Sequence, residues 1–149
     1  MGTIDAESGA LDRFRAEVPD GQPIALINLL RYRERAALDG EQLTGRACYE
    51  GYVKALEPIL MAVGGRPVWR GQVRTSLVGP LDERWDEAII VAYPARSAFE
   101  RMLGTPEYQA AVPLRTAALE DSRLLAAVAP QIIGRLAWSV YRVVSKLRR

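Results

Sequence analysis

"WDEAIIVAYPARSAFERMLGTPEYQAAVPLRTAALEDSRLL", residues 85–125, reads as strand, helix and strand in succession. From Trp85 to Tyr93 the side chains alternate. Trp85, Ile89, Val91 and Tyr93 take one face, and Asp86, Ala88, Ile90 and Ala92 the other, the period of two that a strand imposes. Pro94 ends the strand. "SAFERML" supplies a first turn or two of helix and breaks at Gly104. Thr105 then restarts it as an N-cap, with Pro106 at the first helical position, where its missing N–H costs nothing. A second strand follows over Ser122–Val128.

Working outward, the same grammar precedes this stretch. Ile24–Leu30 is apolar nearly throughout, as a strand buried on both faces should be. From about Thr44 to Val63, Tyr49, Tyr52, Val53, Leu56, Leu60 and Val63 recur at helical spacing, with a bend expected at Pro58 and a glycine cap at Gly64. Pro67–Val78 reads as a strand with Gly71 as a candidate bulge. Residues 1–23 form a lead-in with a short helix around Ala10–Glu17. Strand, helix, strand, strand, helix, strand is the ferredoxin-like βαββαβ order, an α+β fold with a four-stranded antiparallel sheet and two helices on one face. The other face is also apolar in strands one, three and four, so a homodimer packed sheet to sheet is expected. Residues 24–129 are assigned to this domain and 130–149 to a separate C-terminal helix.

Composition narrows the chemistry. The chain has 149 residues, one cysteine and no histidine. An intrachain disulfide, a cysteine metal cluster, a His-ligated haem or zinc site and a Ser-His-Asp hydrolase are thereby excluded, and no metal or cofactor is expected. Cys48 has no base near it in sequence and reads as a buried thiol. The opening residues lack a basic stretch followed by an apolar run, so no secretory leader is expected and a cytoplasmic location is the reading. No phosphate-cradling glycine loop or nucleic-acid motif is present, and no nucleic-acid partner is expected.

"INLLRY", "YEGYVKALEPIL", "GGRPVWRGQV" and residues 85–125, in this order, resemble the domain-of-unknown-function family DUF1330. That resemblance implies the dimeric α+β barrel superfamily, which includes cofactor-free monooxygenases, polyketide cyclases, lactone isomerases and haem-degrading enzymes. The missing histidine departs from the His-ligated haem branch.

Several side chains stand out against this frame. Asn28 shares its strand face with Ile24, Leu26 and Leu30, so its amide needs a partner. It is either a ligand donor or a satisfied core amide. Tyr108, Ala111, Val112 and Arg115 share one helix face, which turns a guanidinium inward. Asp86 is the candidate partner, in a packing ion pair or as a base beside an Arg115 that receives an anionic or carbonyl substrate. Tyr49, Tyr52, Tyr108, Trp69 and Trp85 would line a cavity suited to a flat aromatic molecule, or simply fill the core. The substrate-binding set is therefore Asn28, Tyr52, Trp69, Asp86, Tyr108 and Arg115.

The tail "QIIGRLAWSVYRVVSKLRR" holds five basic residues and no acid, leaving residues 1–130 with 15 basic against 18 acidic side chains, a net charge of −3. Its apolar arc faces away from Arg135, Arg142, Lys146 and Arg149, with Trp138 at the boundary, as in a helix that docks on a protein or lies on an anionic membrane surface. Two functions follow from the sequence. One is a metal-free, isomerase- or monooxygenase-like protein acting on a carbonyl-bearing or aromatic ligand. The alternative is a non-catalytic dimeric scaffold presenting its basic tail to a membrane or partner.

Overall fold

The computed structural model describes residues 4–40 and 42–128. Eight elements follow in order: α1 Ala10–Glu17, β1 Ile24–Tyr32, α2 Gly45–Ala62, β2 Arg66–Gln72, β3 Glu87–Tyr93, α3 Arg96–Leu103, α4 Pro106–Ala118 and β4 Leu119–Val128. The strands form one antiparallel sheet in the order β2-β3-β1-β4, the ferredoxin-like arrangement expected from the sequence. The amphipathic helix expected over 130–149, and with it Arg135, Trp138, Arg142, Lys146 and Arg149, lies outside the described residues. Among those residues no helix is long and apolar enough to cross a membrane.

Local chemistry sets the helix ends. Thr44 caps α2 by accepting the Ala47 N–H at 3.1 Å, and Thr105 caps α4 by accepting the Tyr108 N–H at 3.2 Å, with Pro106 in the first turn. Gly64 stops α2 at φ 80°, a left-handed conformation that a side chain would disfavour. Two apolar clusters then join helices to sheet. Leu30, Tyr49, Tyr52, Ile89, Ala118 and Leu119 anchor one. Ile24, Leu26, Leu60, Tyr93 and Met102 anchor the other. The opposite face of the sheet is apolar and uncovered by any described element: Ala25, Ile27, Leu29, Ala88 and Ile90 are half-buried, while Trp69 and Leu125 are exposed.

Three details depart from the sequence reading. The second strand stops at Gln72 rather than Val78, because its partner β3 begins opposite it at Glu87, and the bonding between the two segments ends with the Val73 N–H donated to the Asp86 carbonyl at 3.0 Å. Leu77, Val78 and Leu81 are almost fully exposed in the loop that follows. The bulge in β2 falls between Pro67 and Trp69, not at Gly71. The last strand begins at Leu119, directly after α4, and Leu119 pairs with Tyr32 deep in the core.

Gly45 is the tightest point of the assembly. A Cβ there would lie 2.4 Å from the carbonyl oxygens of both Ala118 and Arg33, and these are backbone atoms that cannot yield cheaply. Gly45→Ala should therefore lower unfolding free energy by about 1–3 kcal/mol. Gly51→Ala, where the nearest atom is 3.9 Å away in mid-helix, should raise it by roughly 0.5–1 kcal/mol. Urea unfolding of both variants distinguishes close backbone packing from ordinary helix propensity.

Candidate functional site

Between the sheet and its helices lies a cavity of about 620 Å³. This is within the usual range for small-molecule sites. Its floor comes from the helix-facing side chains of the sheet, Leu26, Asn28, Ile89, Val91 and Leu124. Its roof comes from Tyr52, Leu56 and Leu60 of α2, with Met102 of α3 and Tyr108, Val112 and Arg115 of α4. The N-terminal segment from Ile4 through α1 closes one side, where Phe14 meets Phe99 edge to face at 5.8 Å. Most of this wall is hydrocarbon or aromatic, and Arg115, Ser122 and the Ile4 carbonyl form one polar cluster in it.

That cluster is built around Arg115. Its Nη1 donates to the Ile4 carbonyl at 2.7 Å and its Nη2 to Ser122 Oγ at 3.1 Å. Four arginines line the cavity, and three are in ion pairs: Arg13 with Glu7, Arg70 with Glu50 and Glu87, and Arg123 with Asp121. Arg115 meets no carboxylate at ion-pair distance among the described residues. Asn28 stands on the floor and donates its amide to the Ile89 carbonyl at 3.4 Å, a long bond that leaves most of the amide's capacity unused. Asn28 is thus both a core amide and a cavity-lining one.

The phenols here are donors. Burial pushes the Tyr49 hydroxyl up to about 12, with the Arg115 charge pulling the other way. Burial likewise raises Tyr52 and Tyr108, the latter partly offset by Arg115 and by a hydrogen bond with Tyr52. All three therefore keep their protons near neutral pH. The carboxylates at the cavity, Asp5, Glu7 and Glu57, are exposed rim residues. The described residues contain no group of three or more His, Cys, Asp or Glu that could hold a metal ion. The arrangement can accept and polarise an oxygen-bearing ligand through Arg115, Asn28 and neutral hydroxyls.

Of the six expected binding residues, the structure brings Asn28, Tyr52, Tyr108 and Arg115 to this cavity. Trp69 is not there. The one-residue bulge before it reverses the alternation, so Pro67 and Arg70 face the helices while Trp69 pairs with Ile90 on the opposite face. Trp85 also lies away from the cavity, under the Arg123 guanidinium at 5.0 Å. Asp86 makes no pair with Arg115. It sits just before β3 and accepts the Tyr32 N–H at 2.7 Å, capping the sheet's end. Cys48 is buried, with its thiol 3.3 Å from the Leu114 carbonyl.

The sequence reading passed over Glu87, although strand parity places it on the same face as Ile89. It is 4% exposed and accepts hydrogen bonds from the Tyr32 hydroxyl and, at 2.6 Å, from Arg70 Nε. Burial alone would raise its carboxyl, but the bonds from Arg70 and Tyr32 and the charges of Arg70 and Arg46 outweigh this and hold it below the ordinary value. A depressed folded-state pKa contributes stability above the unfolded value, which is lost as pH falls through the folded one. Melting temperature should therefore fall as pH is lowered from about 5, and the fall should be shallower in Glu87→Gln. Equal slopes in thermal melts from pH 6 to 3 would show that Glu87 is not the group responsible.

Residues 38–128 match the family DUF1330, described as a domain of unknown function. A solved protein of unknown function from Rhodopseudomonas palustris is 39% identical, aligning over 87% of this chain and 100% of its own with a TM-score of 0.79. The methylated form of that protein gives 41% identity, 87% and 96% coverage, and a TM-score of 0.81. A hydroxynitrile lyase from Passiflora edulis, 12% identical over 74% of this chain and 96% of its own, shares the fold alone at a TM-score of 0.54. None of the curated proteins matches. With the sheet order, the helix placement and this match over its central and C-terminal strands, the chain belongs to the family DUF1330.

Proposed function

We propose that the protein is a homodimer that binds a small carbonyl-bearing or aromatic molecule between its sheet and helices. The observation that carries this reading is Arg115, a cation in a largely apolar cavity that bonds two neutral oxygens and has no carboxylate at ion-pair distance among the described residues. A ligand oxygen against Arg115 and Asn28 would be polarised, and negative charge developing on it would be stabilised by preorganised donors. This suits isomerase- or monooxygenase-like chemistry, in which an enolate-like oxygen would form as the substrate's carbon proton passes to a carboxylate of the cavity rim, Asp5, Glu7 or Glu57. Asp86 has no part in it, since its carboxylate is engaged at the sheet's end, and the tyrosines serve as donors rather than bases.

The homodimer reading rests on the apolar outer face of the sheet. Ile27, Leu29, Ile90 and Leu125 form a continuous patch with Trp69, of a kind that soluble monomers rarely leave exposed. A second copy packed face to face would cover it.

A thermal-shift screen against flat aromatic, quinone, flavin and lactone compounds tests the site. A ligand at a hundredfold over its Kd adds about 2.7 kcal/mol, a rise of roughly 5–10 °C for a chain this size. The rise should vanish in Arg115→Ala and shrink in Asn28→Ala. A rise untouched by both substitutions places the ligand elsewhere. For the dimer, Ile27→Arg should convert a sedimenting dimer to a monomer with its secondary structure intact, whereas a wild-type chain that sediments as a monomer contradicts the assembly.

A further inference from the structure

Ile4 occupies the polar cluster of the cavity as a ligand would. Its carbonyl receives hydrogen bonds from Arg115 at 2.7 Å and from Ser122 Oγ at 3.4 Å, and its side chain packs against the cluster that contains Tyr49 and Tyr52. The strap that delivers it is held by two half-buried side chains, Ile4 on the first apolar cluster and Phe14 on the second, where it meets Phe99 edge to face. No residue of α1 is buried. The exposed pair Arg15–Glu100 at 2.5 Å ties the strap to α3, and the Ser97 N–H donated to Asp20 at 3.0 Å ties the turn that follows it. Such contacts contribute little and open readily.

A neutral backbone carbonyl is a weak substitute for what a guanidinium binds best. A carboxylate accepts two parallel N–H bonds from it, each about twice as strong as a neutral one. Beyond Arg115, the cavity continues as a hydrocarbon surface made by Leu26, Leu56, Leu60, Val91 and Met102. Asp5, an exposed rim acid with no ion pair among the described residues, sits on the strap next to Ile4, so an anion bound at Arg115 repels that part of the segment, while Glu7 further along is paired with Arg13. We infer that the ligand is an amphipathic monocarboxylate whose carboxylate displaces the Ile4 carbonyl from Arg115, its apolar body lying along the cavity, and that residues 4–17 are released as it binds. This rests on the binding reading above and narrows it to a ligand class and a gate.

Decanoate and 1-decanol, alike in chain and different in charge, are the probes. Titration calorimetry on the full chain should show decanoate binding at least tenfold tighter than decanol, and Arg115→Gln should erase the preference. Amide hydrogen exchange in residues 4–17 should accelerate at least tenfold with decanoate. Ile4→Ala weakens the strap without touching Arg115 and should tighten decanoate binding severalfold, a result that keeps the test decisive if Arg115→Gln folds poorly. Equal affinity for the two probes, or decanoate binding that leaves the strap's exchange unchanged or slower, would overturn the inference while leaving the cavity a binding site. Failure of both probes to bind would overturn it too, the broader reading then being decided by the compound screen.

Discussion

A guanidinium held on the apolar side of a sheet must find oxygen, and Arg115 finds it in Ser122 of the last strand and in the carbonyl of Ile4. That requirement ties the N-terminal segment, α4 and β4 together at one polar cluster of the cavity. Desolvating a cation is costly, and neutral acceptors recover only part of the cost. The fold tolerates Arg115 because α4 aims it along the surface of the sheet, and the space beside it stays open instead of being packed with side chains.

The second charged centre has the opposite character. Glu87 is enclosed by Arg70, Arg46 and Tyr32, with Glu50 taking the outer side of Arg70. Every charge there has an opposite partner, which is how a structural network differs from a receptive one. Tyr49 lies between the two centres, its ring 5.4 Å from those of both Tyr32 and Tyr52, so the tyrosines separate a cluster of paired charges from one in which a cation meets neutral oxygens.

Much of this was legible in the chain. Helical spacing put Tyr52 and Arg115 on inward faces, the Thr-Pro pair marked the start of α4, and the short helix at Ala10–Glu17 was read with its observed limits. What failed did so for physical reasons. Trp69 was placed on the wrong face because a bulge shifts parity, and nothing in "RPVWRG" announces which residue is extra. Asp86 was paired with Arg115 as the acid on a strand face otherwise made of Ala and Ile, whereas its position just before β3 gives it a backbone N–H to cap. Glu87 was available from strand alternation. The Ile4 carbonyl was not, because a main-chain acceptor 111 positions away leaves no mark in the sequence.

The measurement that bears most directly on the cavity is a crystal structure of the full chain grown with the compound that stabilises it most. A ligand oxygen within hydrogen-bonding distance of Arg115 and its body against Leu26, Leu56 and Val91 is the expected result. A ligand seated on the outer face of the sheet, with Ile4 still on Arg115 and the cavity empty, would contradict it.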